Sequence, residues 1–264
     1  MFKFFQRALV GVAIVYVAAL GFLYVAERSM VYPAGGDYEP PESVGLEGVE
    51  VFELETPDGE RLLTWYHAPE DGEKTFLYLQ GNSKTLSDRT DALGSMVNGG
   101  YGLLAISYRG FQGSTGSATQ EGLTTDALTA FDWLDERDHE IIIHGQSLGS
   151  GVASQLAAQR DAEALILEVP FTATVDVASE QYWYFPVGLL MKDQWRSRDV
   201  IADVGEPLLI VGAGQDRVIP VEQSKRLYDM ASDPKTYAVL PESGHNDVWD
   251  HGMWEQVESF LSSL

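Results

Sequence analysis

The hydrophobic pattern of the chain begins with one long uncharged segment near the N-terminus. Residues 8–26 form an apolar run of 19 residues without a charged side chain. As a helix, such a run is about 28 Å long at ~1.5 Å per residue, close to the ~30 Å hydrocarbon core of a bilayer. We therefore predict an N-terminal transmembrane helix within residues 1–28 that crosses the membrane at residues 8–26. A signal peptide cleaved after Ala19 and a buried core helix are the alternative interpretations.

The charges that flank this run predict its orientation. Lys3 and Arg7 precede it, and the acidic residues Asp37, Glu39 and Glu42 follow it. Because basic flanks stay on the cytoplasmic side, we expect a cytoplasmic N-terminus. The chain after residue 30 is then non-cytoplasmic, in the periplasm or outside the cell. We also expect this later part to fold without the N-terminal segment.

Residues 29–48 interrupt the pattern with three prolines and four glycines and show no periodicity. Such a composition is typical of a linker. The folded domain is therefore expected to occupy residues 49–264.

Within residues 49–264, short apolar runs alternate with helical patterns. Two strand-like runs, 51–56 and 61–67, flank Pro57-Asp58-Gly59, which is a hairpin signal. Six later runs are typical of parallel strands that are buried on both faces. These runs are residues 74–79, 101–107, 140–144, 164–168, 207–211 and 236–240. Helical patterns lie between most of them, as at 119–136, 147–159 and 222–231. The pattern predicts an α/β domain with a mixed, mostly parallel sheet covered by helices on both faces.

Residues 170–200 are the one break in this alternation, since they are rich in aromatic side chains and only partly helical. We interpret them as a small helical cap inserted over the sheet. The aromatic side chains of the cap are Tyr182, Trp183, Tyr184, Phe185 and Trp195.

Hydrophobic content, net charge and the lack of cysteine exclude several classes of protein and of functional site. The chain has 264 residues, of which 45% are hydrophobic, so it can bury a core and is not a disordered protein. With 17 basic and 40 acidic residues its formal charge is −23, which makes nucleic acid an unsuitable partner. The absence of cysteine excludes disulfides, thiolate metal sites and cysteine nucleophiles.

The sequence after the fifth apolar run contains a candidate nucleophile. Gly145-Gln146-Ser147-Leu148-Gly149 is a G-x-S-x-G motif between a strand pattern and a helix pattern. The glycines permit a tight turn that lifts the Ser147 hydroxyl above the sheet, where the N-terminus of the helix favours negative charge. A dinucleotide loop is excluded, because Ser154 stands where G-x-G-x-x-G needs its last glycine.

Chain order selects the partners of this serine. In sheets with such an elbow, the acid and then the histidine follow the nucleophile, so only His245 and His251 qualify as the base. His245 lies in a polar loop directly after a strand pattern, whereas His251 is expected on the surface. Asp216 follows another strand pattern and precedes Pro220, so we predict it as the acid that orients His245.

An acyl-transfer site also needs two N–H donors for the oxyanion. We predict the backbone amides of Leu148, next to the nucleophile, and of Asn82, in the loop 80–83 after the third strand. The loop 108–116 is expected to be structural, with Arg109 bracing its turn. His245, Asp247, Asp250 and His251 have no recognised zinc spacing, so neither a metal nor a cofactor is expected.

These motifs resemble those of the α/β-hydrolase superfamily, and most closely its branch of membrane-anchored α/β-hydrolase-domain proteins, related to serine-aminopeptidase-like and lysophospholipase-like sequences. The matching segments follow the family order over roughly residues 25–264. They are Tyr32-Pro33, Gln80-Gly81-Asn82, 108–116, the Ser147 elbow, Pro170-Phe171-Thr172, 216–220 and 244–247. Gln80 departs from the family, which usually has a histidine there to support the loop.

We expect a serine hydrolase that cleaves esters or thioesters through an acyl-enzyme, with Ser147, His245 and Asp216 as its triad. The aromatic cap and the membrane helix suit lipid-like or apolar acyl substrates. A serine peptidase on the same triad is the first alternative. A catalytically inactive, membrane-tethered binding domain is the second.

Overall fold

The computed structural model describes residues 2–33, 35–82 and 85–264. The chain begins with the 30-residue helix α1 (Phe2–Val31). This helix is long and apolar enough to cross a membrane, and the rest of the chain buries none of its most apolar 18-residue window. The N-terminal helix therefore fits a membrane anchor.

Eight strands form one mixed sheet, and each lies within or overlaps one of the eight predicted runs. The strands are β1 (Glu50–Glu55), β2 (Arg61–His67), β3 (Thr75–Leu79), β4 (Gly102–Ile106), β5 (Ile141–Gln146), β6 (Ala164–Glu168), β7 (Leu208–Ala213) and β8 (Lys235–Leu240). Their spatial order is β1-β2-β4-β3-β5-β6-β7-β8. The first hairpin is antiparallel and β2 pairs antiparallel with β4, whereas the strands from β4 to β8 run parallel. The predicted mostly parallel α/β sheet is confirmed.

Helices cover both faces of this sheet. The helices outside the cap are α2 (Thr90–Asn98), α3 (Gln120–Asp135), α4 (Leu148–Ala157), α7 (Val221–Met230) and α8 (Met253–Leu261). Successive strand residues point to opposite faces. Thus Leu77 of β3 belongs to the core with α3, α4 and α7, while its neighbour Phe76 belongs to the core with α2 and α8. Because β3 to β7 are buried on both faces, they read as continuous apolar runs. The prediction was wrong for β8, which is only partly buried because it lies at the edge of the sheet.

The cap contains the short helices α5 (Thr174–Gln181) and α6 (Val187–Leu190) between β6 and β7. Its aromatic residues differ in environment. Trp195 is fully buried, and its indole Nε1 donates to the Tyr32 hydroxyl at 2.9 Å. Trp183, by contrast, is 81% exposed. The cap therefore has an interior that fixes it to the domain and an exposed apolar edge.

The last turns of α1 pack against the rest of the chain. Arg28 Nε lies 3.0 Å from Asp193 Oδ2, and the Val31 carbonyl accepts a hydrogen bond of 2.9 Å from Asn82 Nδ2. Tyr32 and Leu46, which fall in the predicted linker, are buried. These contacts attach the end of α1 and the predicted linker to the domain, and the expectation that the domain folds without residues 1–28 stays a prediction. Ala34, also in the predicted linker, lies outside the described residues.

Candidate active site

Ser147 occupies a sharp turn between β5 and α4. Its backbone has φ 51° and ψ −115°, a left-handed conformation that is costly for any residue with a side chain. Hydrogen bonds hold it there: the Ser147 N–H donates to the Glu168 carbonyl at 2.9 Å, and the Ser150 hydroxyl donates to the Ser147 carbonyl at 2.6 Å. The turn lifts the Ser147 side chain to the carboxyl edge of the sheet.

Two glycines make this turn possible by allowing close backbone approach. A Cβ on Gly149 would lie 1.9 Å from the Leu79 carbonyl oxygen, and one on Gly145 would lie 2.3 Å from the Gly149 carbonyl oxygen. Helix α4 thus crosses over β3 and β5 at a distance that no side chain permits. This is the physical requirement behind the motif.

One chain of hydrogen bonds joins Ser147, His245 and Asp216. Ser147 Oγ lies 2.9 Å from His245 Nε2, and His245 Nδ1 lies 2.6 Å from Asp216 Oδ2. Because a carboxylate only accepts, the imidazole proton lies on Nδ1 and the Nε2 lone pair faces the serine hydroxyl. Such a chain can take the serine proton during attack on an acyl carbon.

The loops that carry Asp216 and His245 are bonded to each other. The Gly214 N–H donates to the Leu240 carbonyl and the Gln215 N–H donates to the Ser243 carbonyl, both at 2.8 Å. The Asp216 side chain is only 1% exposed. Its Oδ1 accepts from the N–H groups of Val218 and Ile219, at 2.7 and 2.8 Å, which leaves Oδ2 for the imidazole. The carboxylate is therefore fixed in the orientation that holds His245.

The candidate oxyanion donors Asn82 and Leu148 line the same pocket as Ser147. Leu148 is the first residue of α4, so its N–H has no acceptor within the helix. The Asn82 side-chain amide is already bonded to Val31, which leaves its backbone amide as the candidate donor. Gln80 is fully buried beside this loop. Ser83, at the end of the predicted loop, lies outside the described residues. The oxyanion role of both amides stays a prediction.

Ser147 lies in a pocket of about 360 Å³ whose lining is mostly apolar. Three of the five aromatic residues of the cap line it, namely Tyr182, Tyr184 and Phe185. Trp195 does not, since it is buried in the domain core. The pocket thus has an apolar surface beside the Ser147 hydroxyl, and such a surface can bind an acyl chain.

Sequence reasoning missed the contribution of α1 to this pocket. Leu23, Glu27, Met30 and Val31 form part of its lining. The signal was present, because these residues recur every three or four positions and so lie on one face of the helix.

A buried polar cluster beneath the elbow was also missed. Glu168 at the end of β6 is fully buried and accepts from three side chains. The donors are Gln146 Nε2 at 2.6 Å, His144 Nε2 at 3.1 Å and Trp249 Nε1 at 3.1 Å. Since the Glu168 backbone also binds the Ser147 N–H, the cluster fixes the position of the nucleophile. A glutamate inside the apolar run of β6 was its sequence signal.

The other residues singled out from the sequence lie away from the serine. His251 Nε2 lies 3.7 Å from Asp247 Oδ2 in a short helical turn after the His245 loop. Arg109 bridges Asp126, at 2.8 Å, and Asp58, at 2.6 Å, beside the β1–β2 hairpin. Among the described residues, no group of three or more His, Asp or Glu side chains is placed to hold a metal ion.

Comparison with known protein families finds a match over half of the chain. A sequence model of the X-Pro dipeptidyl-peptidase (S15) family matches residues 58–194. This segment includes the Ser147 elbow and most of the cap, but ends before Asp216 and His245.

Individual proteins match over longer segments. An uncharacterised protein of Mycobacterium tuberculosis (strain H37Rv) is 36% identical over 251 residues, covering 91% of this chain and 89% of its own. The lysophosphatidylserine lipase ABHD12 of Danio rerio is 29% identical over 241 residues, covering 76% of this chain and 63% of its own. Among solved structures, the esterase Pf2001 of Pyrococcus furiosus superposes with a TM-score of 0.70 at 19% identity, covering 88% of this chain and 95% of its own. The structural likeness concerns the fold.

Proposed function

This chain belongs to the α/β-hydrolase superfamily and is a hydrolase, and we propose that it cleaves carboxylic esters or thioesters of apolar acyl groups through an acyl-enzyme. One observation carries the proposal. The hydrogen-bonded chain from Ser147 through His245 to Asp216 ends at the wall of a mostly apolar pocket.

The first half of the reaction acylates the serine. Ser147 Oγ attacks the carbonyl carbon of the substrate while its proton passes to His245 Nε2. The N–H groups of Leu148 and Asn82 bind the resulting oxyanion. His245 then returns the proton to the departing alkoxide or thiolate, and the acyl group remains on Ser147.

The second half releases the acid. His245 Nε2 removes a proton from water, the resulting hydroxide attacks the acyl carbon, and the proton is returned to Ser147 Oγ as the ester bond breaks. Throughout, Asp216 holds the imidazole with its Nδ1 proton and stabilises the imidazolium that forms. No resident cofactor takes part in these steps.

The apolar pocket and a relative named as a lysophosphatidylserine lipase support a lipid-like acyl substrate. A peptidase is the second candidate, because the matching family model is named for X-Pro dipeptidyl-peptidases. Both chemistries use the same three side chains, so the substrate decides between them.

We propose that residues 1–28 are the membrane anchor, 29–48 a linker and 49–264 the hydrolase domain, with the cap at about 170–200. Lys3 and Arg7 before the apolar run support a cytoplasmic N-terminus and a non-cytoplasmic hydrolase domain. The excess of acidic residues argues against a nucleic-acid partner.

A substrate panel tests the activity. Full-length protein in detergent is assayed with p-nitrophenyl esters of increasing acyl length and with aminoacyl and X-Pro p-nitroanilides. We expect turnover of the esters, with kcat/KM rising with chain length, and no comparable turnover of the anilides. Ser147→Ala is the matched blank. Preferential cleavage of the anilides would support the peptidase instead, and no turnover of either class would favour an inactive binding domain.

A further inference from the structure

One stripe of α1 is docked along the cap. Tyr16 Oη donates to the Tyr184 carbonyl at 3.0 Å, and the ring of Tyr16 stacks on Phe185 with centroids 5.7 Å apart. Eleven residues later, Glu27 Oε1 accepts from the Asp193 N–H at 3.2 Å. The helix and the cap are therefore in contact over about 16 Å of helix length.

The active-site pocket extends along this contact. Its α1 lining runs from Val31 and Met30, through Glu27, to Leu23. The eight helical steps from Leu23 to Val31 correspond to about 12 Å. On the other side lie Tyr184 and Phe185 of the cap. Leu23 belongs to residues 8–26, so the end of the pocket at Leu23 lies inside the proposed membrane span.

The length of α1 places the edge of the cap inside the bilayer. The part of α1 before Tyr16, residues 2–15, is about 21 Å long even when its charged residues are counted. The hydrocarbon core is ~30 Å thick, so this part alone cannot cross it. The span must include residues beside the cap. Depth then increases from Glu27, Arg28 and Asp193 at the headgroups toward Tyr16.

The surface of the cap at that depth has the character of a membrane-inserted surface. Trp183 is 81% exposed and Leu189 is 84% exposed, and Tyr184, whose ring contacts that of Trp183, is half-exposed. Large apolar side chains exposed in this way mark an interaction surface. We define the cap edge as Tyr182, Trp183, Tyr184 and Leu189.

We propose that the cap edge is embedded in the outer leaflet, so that a lipid acyl chain passes directly from the leaflet into the pocket between α1 and the cap. Helix α1 then has two roles, as anchor and as one wall of the acyl pocket. The substrate class is a membrane lipid that presents an ester or thioester near the headgroups. The part of the proposal that concerns catalysis rests on the proposed function, whereas the embedding of the cap edge does not.

The depth of the cap edge can be measured without reference to activity. The chain has no cysteine, so Leu189→Cys provides a single site for a nitroxide label in full-length protein reconstituted in phosphatidylcholine–phosphatidylglycerol vesicles. Met230→Cys is the matched control, since Met230 is exposed at the end of α7 and lies at the sheet edge opposite Ser147. We expect the Leu189 label to collide readily with oxygen and poorly with a water-soluble nickel chelate, and the Met230 label to show the reverse.

A Leu189 label exposed to the nickel chelate overturns the proposal. So does a label shielded from both reagents, which would indicate a second copy of the chain.

The role of α1 as a pocket wall is tested by Leu23→Trp, with Val25→Trp as control on the lipid-facing side of the same helix. The measured quantity is the ratio of kcat/KM for a dodecanoyl ester to that for an acetyl ester. A bulky side chain in an apolar pocket changes such preferences by about tenfold or more, so we expect Leu23→Trp to lower the ratio by that factor. Val25→Trp should retain the wild-type ratio.

An unchanged ratio in Leu23→Trp would contradict the role of α1 as a wall of the pocket. Failure of wild type to cleave any ester contradicts the proposed function, while the nitroxide depth still decides the membrane placement.

Discussion

At the scale of single residues, the site depends on an imidazole whose two nitrogens have different partners. Asp216 Oδ2 accepts a hydrogen bond from the Nδ1–H group and Ser147 Oγ faces Nε2, at 2.6 and 2.9 Å. Asp216 is fixed in turn by two backbone N–H groups. The direction of proton transfer is therefore determined before any substrate binds.

The two histidines of the C-terminal region provide the first prediction. His245→Ala removes the base that contacts Ser147, so kcat/KM for an ester should fall by roughly four to six orders of magnitude. His251→Ala should change it little, because His251 pairs with Asp247 in a turn outside the Ser147–His245–Asp216 chain. Steady-state kinetics of both variants check this. Equal losses in the two variants would contradict the assignment of His245.

A second prediction concerns the pH dependence of stability. The Arg109 guanidinium and the Thr56 hydroxyl hold the pKa of Asp58 well below its ordinary value of 3.8. A carboxylate with a lowered pKa stabilises the fold above its ordinary pKa, and this stabilisation is lost as pH falls through the lowered value. The excess melting temperature of wild type over Asp58→Asn should therefore be constant near neutrality and shrink below about pH 4.

Thermal unfolding of both proteins at a series of pH values measures this difference. The same guanidinium binds Asp126, whose pKa burial raises to about 6, but that group is present in both proteins. A difference that grows as the solution is acidified would contradict the assigned ion pair.

At the scale of elements, the elbow requires the close crossing of α4 over β3. Gly149→Ala would place a methyl group 1.9 Å from the Leu79 carbonyl oxygen, and the backbone of Leu79 and Gln80 leaves no room for it. Overpacking against backbone should cost at least about 3 kcal/mol, or roughly 6 to 12 °C in melting temperature. Gly205→Ala is the control, since nothing lies within 4 Å of its added Cβ. Differential scanning fluorimetry of the two variants checks this, and equal melting temperatures would contradict the steric requirement.

The elements themselves were predictable because their signals are local. Each apolar run from 74–79 to 236–240 contains or overlaps a strand. In β3 to β7, burial on both faces leaves few polar positions to obscure the pattern. Ser147 could be found from its motif. The acid and base could be selected from chain order, and the structure brings both beside the serine.

The docking of α1 on the cap could not be predicted in the same way. It joins residues more than 160 positions apart, such as Tyr16 with Tyr184 and Arg28 with Asp193. An apolar helix face has the same composition whether it meets lipid or protein. Likewise, the neighbouring sequence does not distinguish the buried Trp195 from the exposed Trp183. Trp195 is buried because it contacts Tyr32 and the domain core, which are distant in sequence.

At the scale of the whole molecule, an acidic hydrolase domain is joined to an apolar helix with basic residues at its start. We predict that the domain lies on the non-cytoplasmic side and that the helix remains uncut. Full-length protein should sediment with membranes after alkaline washing. Protease added to intact cells without an outer barrier should digest the domain and leave a short protected fragment.

Two other outcomes of the same experiment are informative. Complete protection of the domain would show the opposite orientation. Soluble protein that begins after Ala19 would show a cleaved signal peptide. Deletion of the whole of α1, residues 2–31, would remove Leu23, Glu27, Met30 and Val31 from the pocket, so the truncated domain should lose long-chain ester turnover.

The proposed reaction requires Ser147 to be an activated nucleophile, and covalent labelling tests this requirement most directly. A fluorophosphonate probe forms a phosphorus–oxygen bond with an activated serine and releases fluoride. We predict that full-length wild type gains the mass of one phosphonyl group, that is, the probe less hydrogen fluoride. Peptide mapping should place this group on Ser147, and Ser147→Ala, with an unchanged melting temperature, should not be labelled. Folded wild-type protein that remains unlabelled, or a label on another residue that persists in Ser147→Ala, would contradict the claim.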